Sequence, residues 1–366
     1  MSSVYILIFI LSTVFSAILT FFVRKIALKF KIVDLPQSAD RKIHKKPIPL
    51  LGGMAIFFAF FLILFIVFKS DFWPHKLVQM KHLIGLGSAG FILMIGGFLD
   101  DKYHLKPKQQ IIWPVLACLI IICSGIGINY INNPFGSGYL HFDQTKIEVI
   151  RIHGMPYYFT PWADLITFLW LMILMYATKL MDGLDGLVSG LTVIGGLVIA
   201  GLCFLTKFFQ PDVGIMAMIF SGATLGFLFF NFNPAKIFLG EGGSLFCGFI
   251  LGVLSIISGS KMATTFLVLG IGIIDLISVI IQRVFKEHHS PFFGDKNHLH
   301  FRLLDLGWPQ RKIVIFYWLI ALIFGLIALF LKTKGKILTI IILAVLVGGF
   351  IVSLIIKSEK SRIEER

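Results

Sequence analysis

The chain has 366 residues, of which 57% are hydrophobic and only 14% charged, and its formal net charge is +14. A soluble domain carries about 25% charged residues, so soluble two-domain enzymes, disulfide scaffolds and disordered chains are excluded. The positive charge does not point to nucleic acid, because continuous apolar runs and 14% aromatic residues place it on loops at a membrane surface.

A helix crosses a bilayer with about 20 apolar residues. Runs of that kind fall near residues 4–23, 51–68, 82–99, 111–127, 162–178, 187–206, 213–230, 242–260, 263–282, 313–331 and 337–356. They predict an all-α, polytopic integral membrane bundle of about eleven spans, with residues 1–366 forming one domain. The first run has no basic residue before it and Arg24 and Lys25 directly after it. A signal peptide has its charge first, so an uncleaved helix with its N-terminus outside is expected.

In that orientation the cytoplasmic segments are 24–50, 100–110, 179–186, 231–241, 283–312 and 357–366. They hold 23 of the 33 Lys and Arg residues, as the positive-inside rule requires, and an odd number of spans puts the C-terminus inside. The same segments hold 13 of the 19 acids and six of the ten histidines, so the chemistry is expected on that face. The external segment 128–161 alternates around Lys146–Arg151 and reads as a small β-hairpin. Cys118, Cys123, Cys203 and Cys247 all sit in apolar runs and read as small core residues.

Several polar constellations stand out in chain order. Arg41-Lys42-Ile43-His44-Lys45-Lys46 precedes Pro47 and Pro49 and suits either a basic membrane anchor or a phosphate contact. Gly96-Gly97-Phe98-Leu99-Asp100-Asp101 ends a span. Successive helical side chains point about 100° apart, so the two acids would serve different partners, such as a metal and a proton, or would simply be solvated. In Lys179-Leu-Met-Asp182-Gly183-Leu184-Asp185-Gly186 the acids are spaced i, i+3 and would share a helical face, while the glycines admit a ligand to the backbone. A Gly-rich turn with solvated acids is the plainer reading.

Asn231-Phe-Asn-Pro-Ala-Lys-Ile-Phe238-Leu-Gly-Glu241-Gly-Gly-Ser would expose backbone N–H groups at a helix start, an anion site. Glu241 could hold Mg²⁺, which prefers hard oxygen ligands shared with phosphate. Asp275 lies within an apolar run. Such a carboxylate marks either a functional site or a pairing with another helix. Asp295-Lys-Asn-His298-Leu-His300-Phe-Arg302 presents donors suited to a diphosphate, which Arg can grip with two parallel bonds.

Together these motifs resemble the polyprenyl-phosphate N-acetylaminosugar-1-phosphate transferases, from about residue 31 to residue 307. The matching pieces are Arg41-Lys42-x-His44 with Pro47, Pro49, Gly52 and Gly53; Asp100-Asp101; Asp182-Gly-Leu-Asp185-Gly; Asn231 with Pro234-Ala235 and Phe238-Leu-Gly240; and His298-Leu-His300-x-Arg302. The His-Leu-His-x-Arg loop is similar to the branch that uses N-acetylglucosamine-1-phosphate. The peptidoglycan branch, phospho-N-acetylmuramoyl-pentapeptide transferase, typically has three histidines in a row. Three positions depart from the family pattern: Glu241 where Asp is usual, Lys179 in place of an Asn, and Phe301 in place of a His.

The resemblance implies a Mg²⁺-dependent transfer, with Mn²⁺ as an alternative ion, from a UDP-N-acetylhexosamine to undecaprenyl phosphate. It assigns catalysis to Asp100 and Asp101 and the metal to Glu241 with one of that pair. Substrate binding falls to His44, Lys45, Asp182, Gly183, Leu184, Asp185, Asn231, Phe238, His298, His300 and Arg302. The setting it implies is the bacterial plasma membrane with the site on the cytoplasmic face, the bilayer as partner and no nucleic acid, and a homodimer is compatible with it. The rival reading from another class is a secondary transporter of an anionic metabolite.

The charge asymmetry yields a topological test. Cysteines introduced at Lys45 and Lys296 should be labelled only from the cytoplasm, and one at Gln144 only from outside. Labelling of position 296 from outside would overturn the orientation.

Overall fold

A computed structural model describes residues 2–36, 46–74, 77–133, 136, 138–152, 155–205, 209–259, 261–286 and 298–364. In chain order the elements begin with α1 (Ser2–Lys29), the two-residue strands β1 (Val33–Asp34) and β2 (Ile48–Pro49), α2 (Gly52–Lys69), α3 (Met80–Tyr103), α4 (Pro107–Gln110) and α5 (Ile112–Cys123). Two hairpins follow, β3 (Tyr130–Asn132) with β4 (Tyr139–His141) and β5 (Ile147–Ile152) with β6 (Met155–Phe159). Then come α6 (Pro161–Met181), α7 (Leu187–Leu205), α8 (Pro211–Asn231), α9 (Gly240–Ile257), α10 (Met262–Ile281), α11 (Leu299–Asp305), α12 (Gln310–Phe330) and α13 (Thr333–Glu364). Proline sits at the first helical position of α4, α6 and α8, where its missing N–H would have no partner anyway.

Ten helices among the described residues are long and apolar enough to cross a bilayer, and Pro107–Cys123 is a shorter apolar segment. The apolar run at 111–127, read from sequence as a full span, is therefore a shorter helix preceded by one turn. It still returns the chain to the opposite end of the bundle: Gly96 of α3 abuts Trp113 at the start of α5, and Gly85 abuts Ser124 just past its end. With α5 counted, eleven apolar helices run through the bundle among the described residues. Among the described residues, the segment 128–161 holds two small hairpins rather than one. The short β1–β2 pair lies at the other end.

Packing puts α9 at the centre, where Gly240 and every residue from Gly242 to Ile256 are buried. Phe246 of α9 meets Phe57 and Phe60 of α2 and Phe220 of α8, with ring centroids 5.6, 6.4 and 6.0 Å away. Such aromatic pairs favour edge-on contacts at these separations. Helix α1 lies parallel to α8, its Ser12 hydroxyl donating to the Ile219 carbonyl at 2.7 Å. Helices in lipid associate through small residues and interhelical hydrogen bonds rather than the hydrophobic effect. The outer faces of α1, α12 and α13 stay exposed and apolar, with Ile10, Leu319 and Val345 among the uncovered side chains.

Two glycine contacts set the start of α9. Gly53 of α2 lies against Gly243, and Gly97 of α3 lies against Gly242; a Cβ on Gly97 would collide with the Gly242 backbone. No flexible side chain can yield there. Overpacking of this kind costs about 1–3 kcal/mol, so Gly97→Ala should lower the melting temperature in detergent. Gly348→Ala, at a position with no neighbour within 4 Å, should leave it unchanged. Equal melting of both variants would show that the α3–α9 contact is not close-packed.

Candidate active site

The ends of α3, α6 and α10 and the beginnings of α7 and α9 meet at one end of the bundle. Asp101, on the last turn of α3, accepts a hydrogen bond from the Glu241 backbone N–H at 3.0 Å. That N–H belongs to the first turn of α9, where a carboxylate is stabilised by the helix dipole. The contact depends on Gly240, which has a φ of 75° and whose Cβ, if present, would fall on the Asp101 carboxylate. Asp100 turns elsewhere. Its Oδ1 accepts from the Leu105 N–H and the Gln110 side-chain amide, each at 2.9 Å.

Glu241 forms an ion pair with Lys179 of α6. The Lys179 ammonium also donates to the Gln110 side-chain carbonyl at 3.0 Å. One ammonium and one amide thus link acids from α3 and α9.

Asp182 and Asp185 do not share a helical face. Asp182 caps the end of α6, and the chain then turns through Gly186 at a φ of 83°. Burial, together with the negative charges of Glu241 and Asp185, pushes the Asp182 carboxyl up to about 8. Burial disfavours the charged form, and the neighbouring acids add to the effect. Asp185 accepts from the Asn233 side chain and the Ala235 N–H, both at 2.9 Å. Leu184 is buried and packs in the core.

Asn231 is also internal. Its carbonyl oxygen accepts from the Gly186 N–H at 3.1 Å and the Ser189 hydroxyl at 2.7 Å, and its amide donates to the Ile237 carbonyl at 3.1 Å. It ties the Asp185 turn to the loop before α9. Phe238 is half-buried, and its backbone bonds to Pro49 and Gly52.

Asp275, within α10, pairs with another element. Its two oxygens take the His298 Nδ1 at 2.9 Å and the Leu299 N–H at 2.8 Å, which fixes the start of α11 on the bundle. His300 follows, fully buried against Gly183, with no hydrogen-bond partner for either ring nitrogen among the described residues. Burial lowers its pKa to about 4, with the Asp275 charge opposing, so the ring is neutral near pH 7. Arg302 donates to the Gln282 side chain at 3.0 Å. His44 and Lys45 lie outside the described residues.

Hard oxygen donors suit Mg²⁺, and Asp101, Asp182 and Glu241 supply them around a glycine cradle. Among the described residues no three His, Cys, Asp or Glu side chains already stand grouped to hold a metal. An apolar groove of about 300 Å³ between α2 and α3, lined by Phe57, Phe91, Ile95 and Leu99 among others, opens beside this point. A narrow continuation shares Met54, Met94 and Phe98 with it and ends at Asp101. Gln110 and Gln282 lie in no motif, so only the folded chain reveals them as partners of Lys179 and Arg302.

Bundle and site define a multi-pass membrane protein whose acids, histidines and arginine converge at one end, beside an apolar groove. Residues 83–259 match glycosyl transferase family 4. Over 346 residues the chain is 32% identical to the probable undecaprenyl-phosphate N-acetylglucosaminyl 1-phosphate transferase of Bacillus subtilis, covering 93% of this chain and 88% of that protein. It is 26% identical over 343 residues to the decaprenyl-phosphate N-acetylglucosaminephosphotransferase of Mycolicibacterium smegmatis, covering 85% and 79%. It is also 32% identical over 304 residues to the phospho-N-acetylmuramoyl-pentapeptide-transferase of Borreliella burgdorferi, covering 78% and 82%. The chain belongs to glycosyl transferase family 4, the polyprenyl-phosphate aminosugar-1-phosphate transferases that its motifs resemble.

The two acids of α3 allow a direct check. Asn at either position keeps the shape and removes the charge. Asp100→Asn and Asp101→Asn should each lose at least ~10²-fold in turnover, the lower end of what a positioned acid–base group contributes. Near-normal rates in both would leave them with structural roles alone, Asp101 on the Glu241 N–H and Asp100 on Leu105 and Gln110.

Proposed function

We propose that this protein transfers N-acetylglucosamine-1-phosphate from UDP-N-acetylglucosamine to undecaprenyl phosphate at the cytoplasmic face of the bacterial plasma membrane. An oxygen of the lipid phosphate attacks the β-phosphorus of the UDP-sugar. The bond from that phosphorus to the bridging oxygen breaks, UMP leaves, and the sugar remains on a lipid diphosphate. The observation that carries this reading is that the apolar groove between α2 and α3 narrows to Asp101, whose carboxylate is bonded to the first turn of α9 at Glu241. An isoprenoid tail needs apolar cover up to its phosphate, and the phosphate needs within reach the cation that the acids would hold.

Phosphoryl transfer depends mainly on positioning and charge neutralisation. Asp101 and Glu241 are the residues to hold Mg²⁺, which when bound offsets the negative charge of the diphosphate. Asp100, whose Oδ1 is held by Leu105 and Gln110, takes the other role, binding or deprotonating the lipid phosphate. Asp182, Asp185 and Phe238 seat the nucleotide. His298, oriented by Asp275, joins His300 and Arg302 in gripping the diphosphate, and Gly183 leaves His300 the room to sit there.

Two observations weigh against the transporter reading. Transporter sites lie near the bilayer midplane, whereas these acids gather at one end of the bundle. Asp275, the acid within an apolar run, is paired with His298 and the start of α11. A phospho-N-acetylmuramoyl-pentapeptide transferase remains the alternative donor specificity, favoured by the similarity to the Borreliella burgdorferi protein. Purified protein given undecaprenyl phosphate and each donor in turn discriminates the readings. Mg²⁺-dependent release of UMP from UDP-N-acetylglucosamine is the expected result, and release only from the muramoyl-pentapeptide donor would overturn it.

If Glu241 ligates the cation, charge is essential and length is negotiable, since Mg²⁺ keeps waters that absorb a small displacement. Glu241→Asp should stay active with a shifted Mg²⁺ optimum. Glu241→Gln should lose at least ~10-fold, the scale on which altered ligand shells weaken metal sites, and need more Mg²⁺ to recover. Turnover against Mg²⁺ concentration checks this, and a fully active Gln variant with unchanged Mg²⁺ dependence removes Glu241 from the site.

A further inference from the structure

Two of the three departures from the family pattern touch each other. Lys179 stands one turn before Asp182 on α6, and Glu241 stands on the first turn of α9, yet their side chains form an ion pair. Both are well covered, with side chains 18% and 16% exposed, so solvent screens the pair only in part. Lys179 is anchored a second time, by the Gln110 carbonyl at 3.0 Å, and Gln110 is itself held by Asp100 and by the Leu105 carbonyl, at 2.9 and 3.1 Å. The longer reach of Glu over Asp, and an ammonium where a neutral amide would carry no charge, are complementary changes.

We propose that Lys179 is a built-in competitor for the divalent cation at Glu241. An ammonium is a monovalent counter-ion on a flexible four-carbon stem, and it occupies the carboxylate that the cation needs. Cation binding at Glu241 therefore requires Lys179 to withdraw. Gln110 gives the withdrawn ammonium an acceptor to stay on, which keeps its charge beside the site for an incoming diphosphate. The chain thereby binds its cation weakly when empty and more strongly once substrate phosphates supply a second partner for Lys179. This inference rests on Glu241 being a cation ligand, the reading made above.

Mn²⁺ binding to the detergent-purified full chain, followed by the electron paramagnetic resonance signal of free Mn²⁺ with no substrate present, tests it. Removal of a unit positive charge beside a dication site should tighten binding at least ~10-fold in Lys179→Met, given the strength of close charge pairs under partial burial. Lys179→Arg keeps the charge and should stay near wild type. Glu241→Asp, which draws the carboxylate one methylene back from Lys179 and loosens the pair, should also bind more tightly, and it serves if the Met variant does not fold. Unchanged or weaker binding in the folded Met variant, or in Glu241→Asp where Met fails, overturns the competition. Unchanged Mn²⁺ binding in Glu241→Gln overturns it too, by removing the ligand. Because no substrate is used, failure here is separate from failure of sugar-phosphate transfer, which UMP release reports.

Discussion

The site depends on how closely three helices approach at the start of α9. Gly53 against Gly243 and Gly97 against Gly242 leave no room for a Cβ between α2, α3 and α9. In lipid there is no hydrophobic drive between helices, so close van der Waals packing of small residues has to hold them. The consequence is chemical. The same approach carries the last turn of α3 onto the first turn of α9, where Asp101 takes the Glu241 N–H. A side chain at Gly97 would push α3 away from α9 at the point where Asp101 meets the Glu241 N–H.

Bringing acids together at the edge of a membrane is electrostatically unfavourable, and the chain offsets this in different ways. Asp100 and Asp185 are each held by two neutral donors, Asp101 by a helix N-terminus, and Glu241 by Lys179. Asp182 is buried beside the charges of Glu241 and Asp185, and its pKa is raised. On the proposed reading, an arriving cation would offset this charge. Across the turn from Asp182, α11 is pinned by Asp275, so that His300 is pressed against Gly183 without any hydrogen bond of its own among the described residues.

Much of the architecture is legible in the sequence, because apolar length is dictated by bilayer thickness. The run at 111–127 is the exception. Its apolar content does not distinguish a full span from a short helix preceded by a separate turn at Pro107. The alternation in 128–161 likewise signals strand pairing but not how many hairpins form. At the site, the acids are legible as motifs, while their partners are not. Gln110 and Gln282 carry no periodicity or spacing, and they matter only because of where α4 and the end of α10 come to rest. Asn231 shows the converse: a motif residue whose polar atoms are engaged inside the protein with Gly186, Ser189 and Ile237. The i, i+3 spacing of Asp182 and Asp185 suggests one helical face, but Gly183 and Gly186 make the segment a turn instead.

The central claim is that the glycine contacts bring Asp101 and Glu241 to one cation. Single-turnover transfer by Asp101→Asn, Glu241→Gln and the double variant, with saturating substrates and a fixed Mg²⁺ concentration, tests it most directly. Residues that act as one unit are strongly non-additive. A shared cation predicts that the double variant falls within about 3-fold of the weaker single variant, because the first substitution already removes the ion's hold. Losses that multiply, so that the double variant is slower by the product of the two single effects, would contradict a common site.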